Sequence, residues 1–202
     1  MNALFAPLAL IALTACTSGS DTNESTTGDD TSSDSVTDVY GEETTGVTDL
    51  EGWGDEVTTL NANATISGDL SDGEIIDLSF ASSSQIACWP TTEDMNFSGN
   101  HVFYATYLPE HSKIVATVTP EPGVDVSLYM YSIATTSHYL PEELPSASCE
   151  AAYDQINDSN PGESESTDIV AINNPYNVVI GVAGAEGYTS GGYTLRLRLE
   201  DY

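Results

Sequence analysis

Positive charge is almost missing from this chain. Its 202 residues hold three Lys or Arg against 32 Asp or Glu, a formal net charge of −29. Such a surface repels phosphate backbones and excludes DNA or RNA as a partner. It also repels anionic lipid headgroups, so membrane attachment has to be covalent or apolar. Histidine is equally scarce. His101, His111 and His138 do not stand at the spacing of a zinc-protease pair; all three flank turns or strand ends and read as surface residues. There is no G-x-S-x-G, no phosphate loop and no dinucleotide fingerprint, and no serine stands out as a nucleophile. Catalysis is not expected. A long apolar run is missing too: Ala3 to Leu13, interrupted by Pro7, falls short of the roughly twenty residues of a transmembrane helix.

The charge is also uneven. Between Thr17 and Glu56 stand twelve acidic residues and no basic one, in a setting of Ser, Thr and Gly. The twenty acids of residues 60–202 share that stretch with Lys113, Arg196 and Arg198, a net of 3 − 20 = −17. The partners this charge admits are cations, basic proteins and neutral ligands such as glycans. Solubility alone also accounts for it.

The opening "MNALFAPLALIALTAC" has the short apolar core of a signal peptide. Its end, Leu13-Thr14-Ala15-Cys16, resembles the lipobox of bacterial lipoproteins. The resemblance implies that residues 1–15 are a signal peptide and that Cys16 becomes the first mature residue. Its thiol would carry diacylglycerol and its amino group a fatty acyl chain such as palmitate. At ~0.8 kcal/mol per buried methylene, two or three chains hold a protein durably where one does not. Thr17 after the cysteine, in place of Asp, implies forwarding to the outer membrane. One departure from the pattern is the lack of Lys or Arg near the start, where Asn2 is the only polar residue before Thr14. The alternative is a plain signal cut after Ala15, leaving a secreted protein.

Residues 16–56 have too little apolar content to offset the entropy of ordering and are expected to form a disordered acidic linker. Forty such residues span roughly 35 Å, more under self-repulsion. Trp53 is either the first residue to dock on the folded part or loose.

From Val57 the pattern turns to period two. Leu60, Ala62, Ala64 and Ile66 alternate with polar neighbours, as do Ile76, Leu78 and Phe80, then Ile114, Ala116 and Val118. Val124, Val126, Leu128 and Met130 alternate with Asp125, Ser127, Tyr129 and Tyr131, and "YTLRLRLE" is the cleanest case. Each such run predicts a half-buried strand. "HVFYATY", "TDIVAI" and "NVVIGVA" are more apolar and predict central strands. About eight strands separated by turn signals predict an all-β fold over residues 57–202, an antiparallel β-sandwich or jelly roll. Cys149, Ala152, Tyr153 and Ile156 fall at helical spacing, which allows one short helix there. With Cys16 lipidated in an oxidising compartment, Cys88 and Cys149 are expected to pair; the alternative is two buried free thiols.

Two stretches, "HVFYATYLPEHSKIVATVTPEPGVDVSLYMYS" (101–132) and "NPYNVVIGVAGAEGYTSGGYTLRLRLE" (174–200), resemble the bacterial pre-peptidase C-terminal domain, a β-sandwich appended to exported proteases. Asp125, Leu128 and Tyr129 meet its Asp-x-x-Leu-Tyr pattern, and the second stretch meets its closing hairpin. The resemblance spans roughly residues 60 to 202 and implies a sandwich with an accessory or binding role. No protease domain is expected beside it in these 202 residues.

Two candidate sites remain. "DQINDSNPGESE" gathers Asp154, Asp158, Asn160, Glu163 and Glu165 around a Pro-Gly turn, a donor set of the kind calcium takes. Its spacing is not that of an EF-hand, and a solvated acidic loop is the alternative. No other cofactor is expected. Eleven tyrosines, with Tyr104 and Tyr139 or Tyr129 and Tyr131 as pairs, suggest an aromatic patch for a glycan or protein, or simply good strand residues. The function expected is that of a bacterial cell-envelope lipoprotein, a non-catalytic binding module on a flexible tether with an envelope protein or glycan as partner. The alternative is an accessory or targeting subunit that binds substrate for a separate exported hydrolase.

Overall fold

A computed structural model describes residues 50–83, 88–144, 147–153 and 162–202. The signal sequence, Cys16 and most of the acidic segment lie outside the described residues. Among the described residues nine strands form two sheets: β1 (Val57–Thr59), β2 (Thr65–Asp69), β3 (His101–Leu108), β4 (Ser112–Pro120), β5 (Val126–Ile133), β6 (Ser148–Ala152), β7 (Glu165–Ala171), β8 (Tyr176–Gly184) and β9 (Gly192–Asp201). One sheet has the order β1-β3-β8-β5-β6 and the other β2-β9-β4-β7. The expected all-β sandwich is present, with one strand more than expected. Its pairing is antiparallel throughout except between β1 and β3, which run parallel.

The core lies between the sheets and follows the period-two pattern. From the four-stranded sheet Ile114, Ala116, Val118, Leu195 and Leu197 point inward, and from the five-stranded sheet Leu128, Met130, Val178, Ile180 and Val182 meet them. Tyr104 and Tyr193 close one part of this core with a hydroxyl–hydroxyl bond of 2.9 Å. Burial raises the pKa of both phenols, which keeps the pair neutral.

A second apolar cluster covers the other face of the five-stranded sheet. Trp89 and Phe97 stack with ring centroids 3.6 Å apart and pack with Tyr129, Tyr131, Phe103 and Val179. A short helix α1 (Ser79–Ser83) and a 3-10 turn over Thr91–Phe97 carry this cap. The disulfide between Cys88 and Cys149 ties it to edge strand β6, with Cα atoms 5.1 Å apart. Gly181 makes the close packing possible: a Cβ there would meet the Tyr129 ring at 2.2 Å.

The cap explains where sequence patterning and structure part. Val126 to Ile133 alternates in sequence, yet Ser127, Tyr129 and Tyr131 on its expected wet face are buried beneath the cap. Ile76, Leu78 and Phe80 form no strand; the Asp77 carboxylate accepts the Ser79 N–H at 2.9 Å and opens α1 instead. Leu60 to Ile66 is two strand ends, not one strand. Leu60 donates to Ala105 O in the first sheet, the chain turns at Asn61–Ala64, and Ile66 pairs Leu195 in the second. "TDIVAI" is the edge strand β7, not a central one. Cys149 and Ala152, considered for a helix, lie on β6.

Candidate binding face

The four-stranded sheet leaves its outer face open, and alternation decides what stands on it. Inward Leu195 and Leu197 force Thr194, Arg196 and Arg198 outward on β9. Inward Ile114, Ala116 and Val118 do the same for Lys113, Val115, Thr117 and Thr119 on β4. Register then aligns these residues across strands. Thr65 pairs with Arg196, Arg196 with Thr117, and Thr117 with Ser166, a single row over β2, β9, β4 and β7. The next row is Arg198, Val115 and Asp168, and beyond it come Glu200, Lys113 and Val170. Between the rows runs an open trough of about 540 Å³ lined by hydroxyls, Val115 and the two arginines.

The face thus collects all three cations of a chain that holds 32 acids. Two of them have a partner in place. Lys113 Nζ lies 2.8 Å from Glu200 Oε2, and Arg198 Nη2 lies 2.5 Å from Glu200 Oε1. The hydrogen bond with Lys113 holds the Glu200 carboxyl below its ordinary range and lifts the Lys113 ammonium above its own. Arg196, exposed at the centre of its row, forms no ion pair among the described residues. The hydroxyls beside it are ordered. Ser166 Oγ donates to Ala116 O at 3.0 Å, so its one proton is committed and the 2.9 Å bond to Thr117 must be donated by Thr117. Thr119 and Ser164 form a second hydroxyl pair at 2.8 Å. Guanidinium and fixed hydroxyl dipoles can bind and orient an anionic, hydrogen-bonding ligand.

His101 is buried at 1% exposure, against the expectation that all three histidines are surface residues. It sits under the cap because β3 turns this position to the Tyr129 side. Nε2 lies 2.6 Å from Phe97 O, and a carbonyl only accepts, so Nε2 carries the proton. Nδ1 then accepts from the Tyr129 hydroxyl at 3.0 Å. Burial lowers the pKa of His101 to about 4, with the Phe97 bond opposing. A neutral imidazole with both nitrogens bonded is a structural tie. It borders a pocket of about 270 Å³ whose mouth holds Glu56, Asp72 and Glu74. His111 is exposed at the β3–β4 turn with φ 57°. His138 receives Trp53 edge-on, ring centroids 5.0 Å apart, so Trp53 is docked.

The remaining candidates fare differently. Cys88 and Cys149 are joined as expected. Cys16, Asp154, Asp158 and Asn160 lie outside the described residues; Glu163 is exposed and Glu165 opens β7. Among the described residues no three His, Cys, Asp or Glu gather as metal ligands, and no helix is long and apolar enough to cross a membrane. The tyrosine pairs do not form a surface patch. Tyr104 meets Tyr193 in the core and Tyr129 and Tyr131 are fully buried, leaving Tyr139 exposed alone of the four.

Arg196, Arg198 and Lys113 were not singled out from sequence as a site. The signal was present in part: in "YTLRLRLE" the arginines alternate with Leu on the wet side of a strand. That Lys113 joins them required the β4–β9 register.

No protein-family model and no curated protein matches the sequence. Solved structures with partial overlap include the pre-peptidase C-terminal domain of a Bacillus anthracis collagenase, with 14% identity, a TM-score of 0.39, and 72% of this chain and 97% of that one covered. PliG of Aeromonas hydrophila, a periplasmic inhibitor of g-type lysozyme, overlaps at 9% identity and a TM-score of 0.35, with 72% and 98% covered. CorA, a surface-associated copper-binding protein of Methylomicrobium album BG8, overlaps at 12% and 0.39, with 74% and 100% covered. Overlaps of this size establish neither kinship nor function.

Proposed function

We propose that this chain is a bacterial cell-envelope lipoprotein, anchored through acyl chains on Cys16 in the outer membrane, and that its sandwich is a non-catalytic binding module. The outer face of the four-stranded sheet is its ligand surface. The observation that carries this reading is the gathering of Lys113, Arg196 and Arg198 on one exposed face of an otherwise acidic chain. That face offers hydrogen bonds and charge, which suit holding a ligand rather than transforming it. The anchor rests on Leu13-Thr14-Ala15-Cys16 and on an acidic segment long enough to hold the domain tens of ångströms from the bilayer.

The test has two parts. Mass spectrometry of the N-terminal peptide from native membranes should find acyl groups on Cys16; an unmodified Cys16 removes the anchor. Envelope extract passed over the full mature chain should leave a ligand on the wild type that Arg196→Gln retains much less. Equal retention by both proteins would remove the binding face, and turnover of a general hydrolase panel would end the non-catalytic reading.

A further inference from the structure

Resting on that binding face, we infer that its ligand is a saccharide with sparse carboxylates, a neutral sugar chain carrying an acidic sugar at intervals, and that Arg196 receives the carboxylate. Charge sets the first limit. Lys113, Arg196 and Arg198 stand against Asp69, Asp168 and Glu200, leaving the face with no net charge on a domain of net −17. A dense polyanion gains nothing net at this face and is repelled by everything within a Debye length of about 8 Å around it. A single carboxylate meets the guanidinium of Arg196, which has no ion pair among the described residues, without that penalty. Arg196 presents a planar fork that fits a carboxylate with two parallel hydrogen bonds.

The surroundings set the second limit. A protein interface is anchored by buried aromatic or large aliphatic side chains, and the described residues that line this trough include none; Val115 is the one aliphatic residue among them. Beside Arg196 and Arg198, its other lining groups are the hydroxyls of Thr65, Thr117, Thr119, Ser166 and Thr194. Such a surface matches a hydroxyl-rich, water-tolerant partner. Outward residues on one strand recur about every 6.8 Å, so Arg196 and Thr194 can contact neighbouring parts of one short sugar chain. Without an aromatic stacking platform each contact is weak, and many copies on one membrane would add avidity.

The probe is a hyaluronan hexasaccharide, with one glucuronate per disaccharide, titrated into the full mature protein. Beside it run the same hexasaccharide with its carboxyls reduced to alcohols, heparin, and an acidic peptide. We expect saturable binding of the hexasaccharide, at least about tenfold weaker binding of the reduced form, and amide shifts confined to β4, β9 and the neighbouring ends of β2 and β7. Arg196→Gln should lose the difference between charged and reduced sugar, and Arg196→Lys should keep part of it. Undetectable binding of the hexasaccharide, equal binding of charged and reduced sugar, tighter binding of heparin or of the peptide, or an Arg196→Gln protein that binds as the wild type does would each overturn the saccharide. If the saccharide fails while Arg196→Gln still releases the envelope ligand, the binding face stands and only its ligand class falls.

Discussion

The two sheets of this protein turn opposite outer faces to their surroundings. Over the five-stranded sheet lie Trp89, Phe97 and the cap that bury Tyr129 and Tyr131; over the four-stranded sheet Thr194, Arg196 and Arg198 stand exposed. Both faces are built from alternating strands. What separates them is the segment between β2 and β3, which carries enough aromatic surface to close one face and leaves the other to water. An uncovered face costs nothing when it bears hydroxyls and charges, so it is free to serve recognition. The capped face contributes stability and leaves only the pocket beside His101 among the described residues on that side.

The sharpest way to break this contrast is to remove its largest side chain. Trp89, 2% exposed, should destabilise the fold by about 3–5 kcal/mol when replaced by Ala. Val115→Ala on the open face should cost less than about 1 kcal/mol, because the site already meets water. Urea titrations of the two variants measure the difference, and similar losses would mean the open face is as structural as the capped one.

Removing the Cys88–Cys149 bridge comes next. The cross-link spans a sequence separation of 61, for which the chain-entropy treatment gives ~4 kcal/mol. The double Ser variant should lower the urea midpoint. Hydrogen exchange should rise first over the 3-10 turn and β6 and least over β4 and β9. Uniform loss of protection would show that the bridge holds the whole sandwich.

His101 tests the cap through pH. Its folded pKa of about 4 lies below its ordinary 6.5. The unfolded chain therefore takes up a proton that the native state refuses, and stability present above pH 6.5 is lost as pH falls toward 4. The full effect is about 3 kcal/mol. Urea midpoints between pH 7 and 5 should fall for the wild type and less steeply for His101→Gln; parallel slopes would assign the pH dependence to other groups.

The smallest stability effect is expected at Glu200. Its pairs with Lys113 and Arg198 are surface contacts screened by solvent and salt. Glu200→Gln should leave the melting temperature close to wild type while raising the positive charge of the open face. Binding of a singly carboxylated sugar should strengthen severalfold, which titration calorimetry would read.

Much of the sandwich was legible in the chain because alternation reports a strand with one wet side. β4, β9 and the inward halves of β3 and β8 follow it closely. The capped face was not legible, because a strand buried on both sides need not alternate, and one that does alternate, such as β5, can still be covered later by a distant segment. Tyr129 and Tyr131 look like wet-face residues until Trp89 is placed on them. Ile76 to Phe80 failed for a local reason: a single Asp77 cap outweighed a three-point alternation. His101 was misplaced because a polar residue at a strand start reads as exposed unless its partners, Phe97 O and the Tyr129 hydroxyl, are known.

By itself the sequence determined that this would be a strongly acidic chain with an all-β domain, two cysteines able to join within it, and arginines alternating with leucines on its last strand. Those properties are local: composition sets charge, and a period of two sets which side of a strand each residue occupies. Only the tertiary structure decided which face is sealed, which strands are edges, and that Lys113, more than eighty positions away in the chain, stands beside Arg198. Such choices rest on packing between distant segments, where the free energy of burying Trp89 and Phe97 on one sheet selects the face left for everything else.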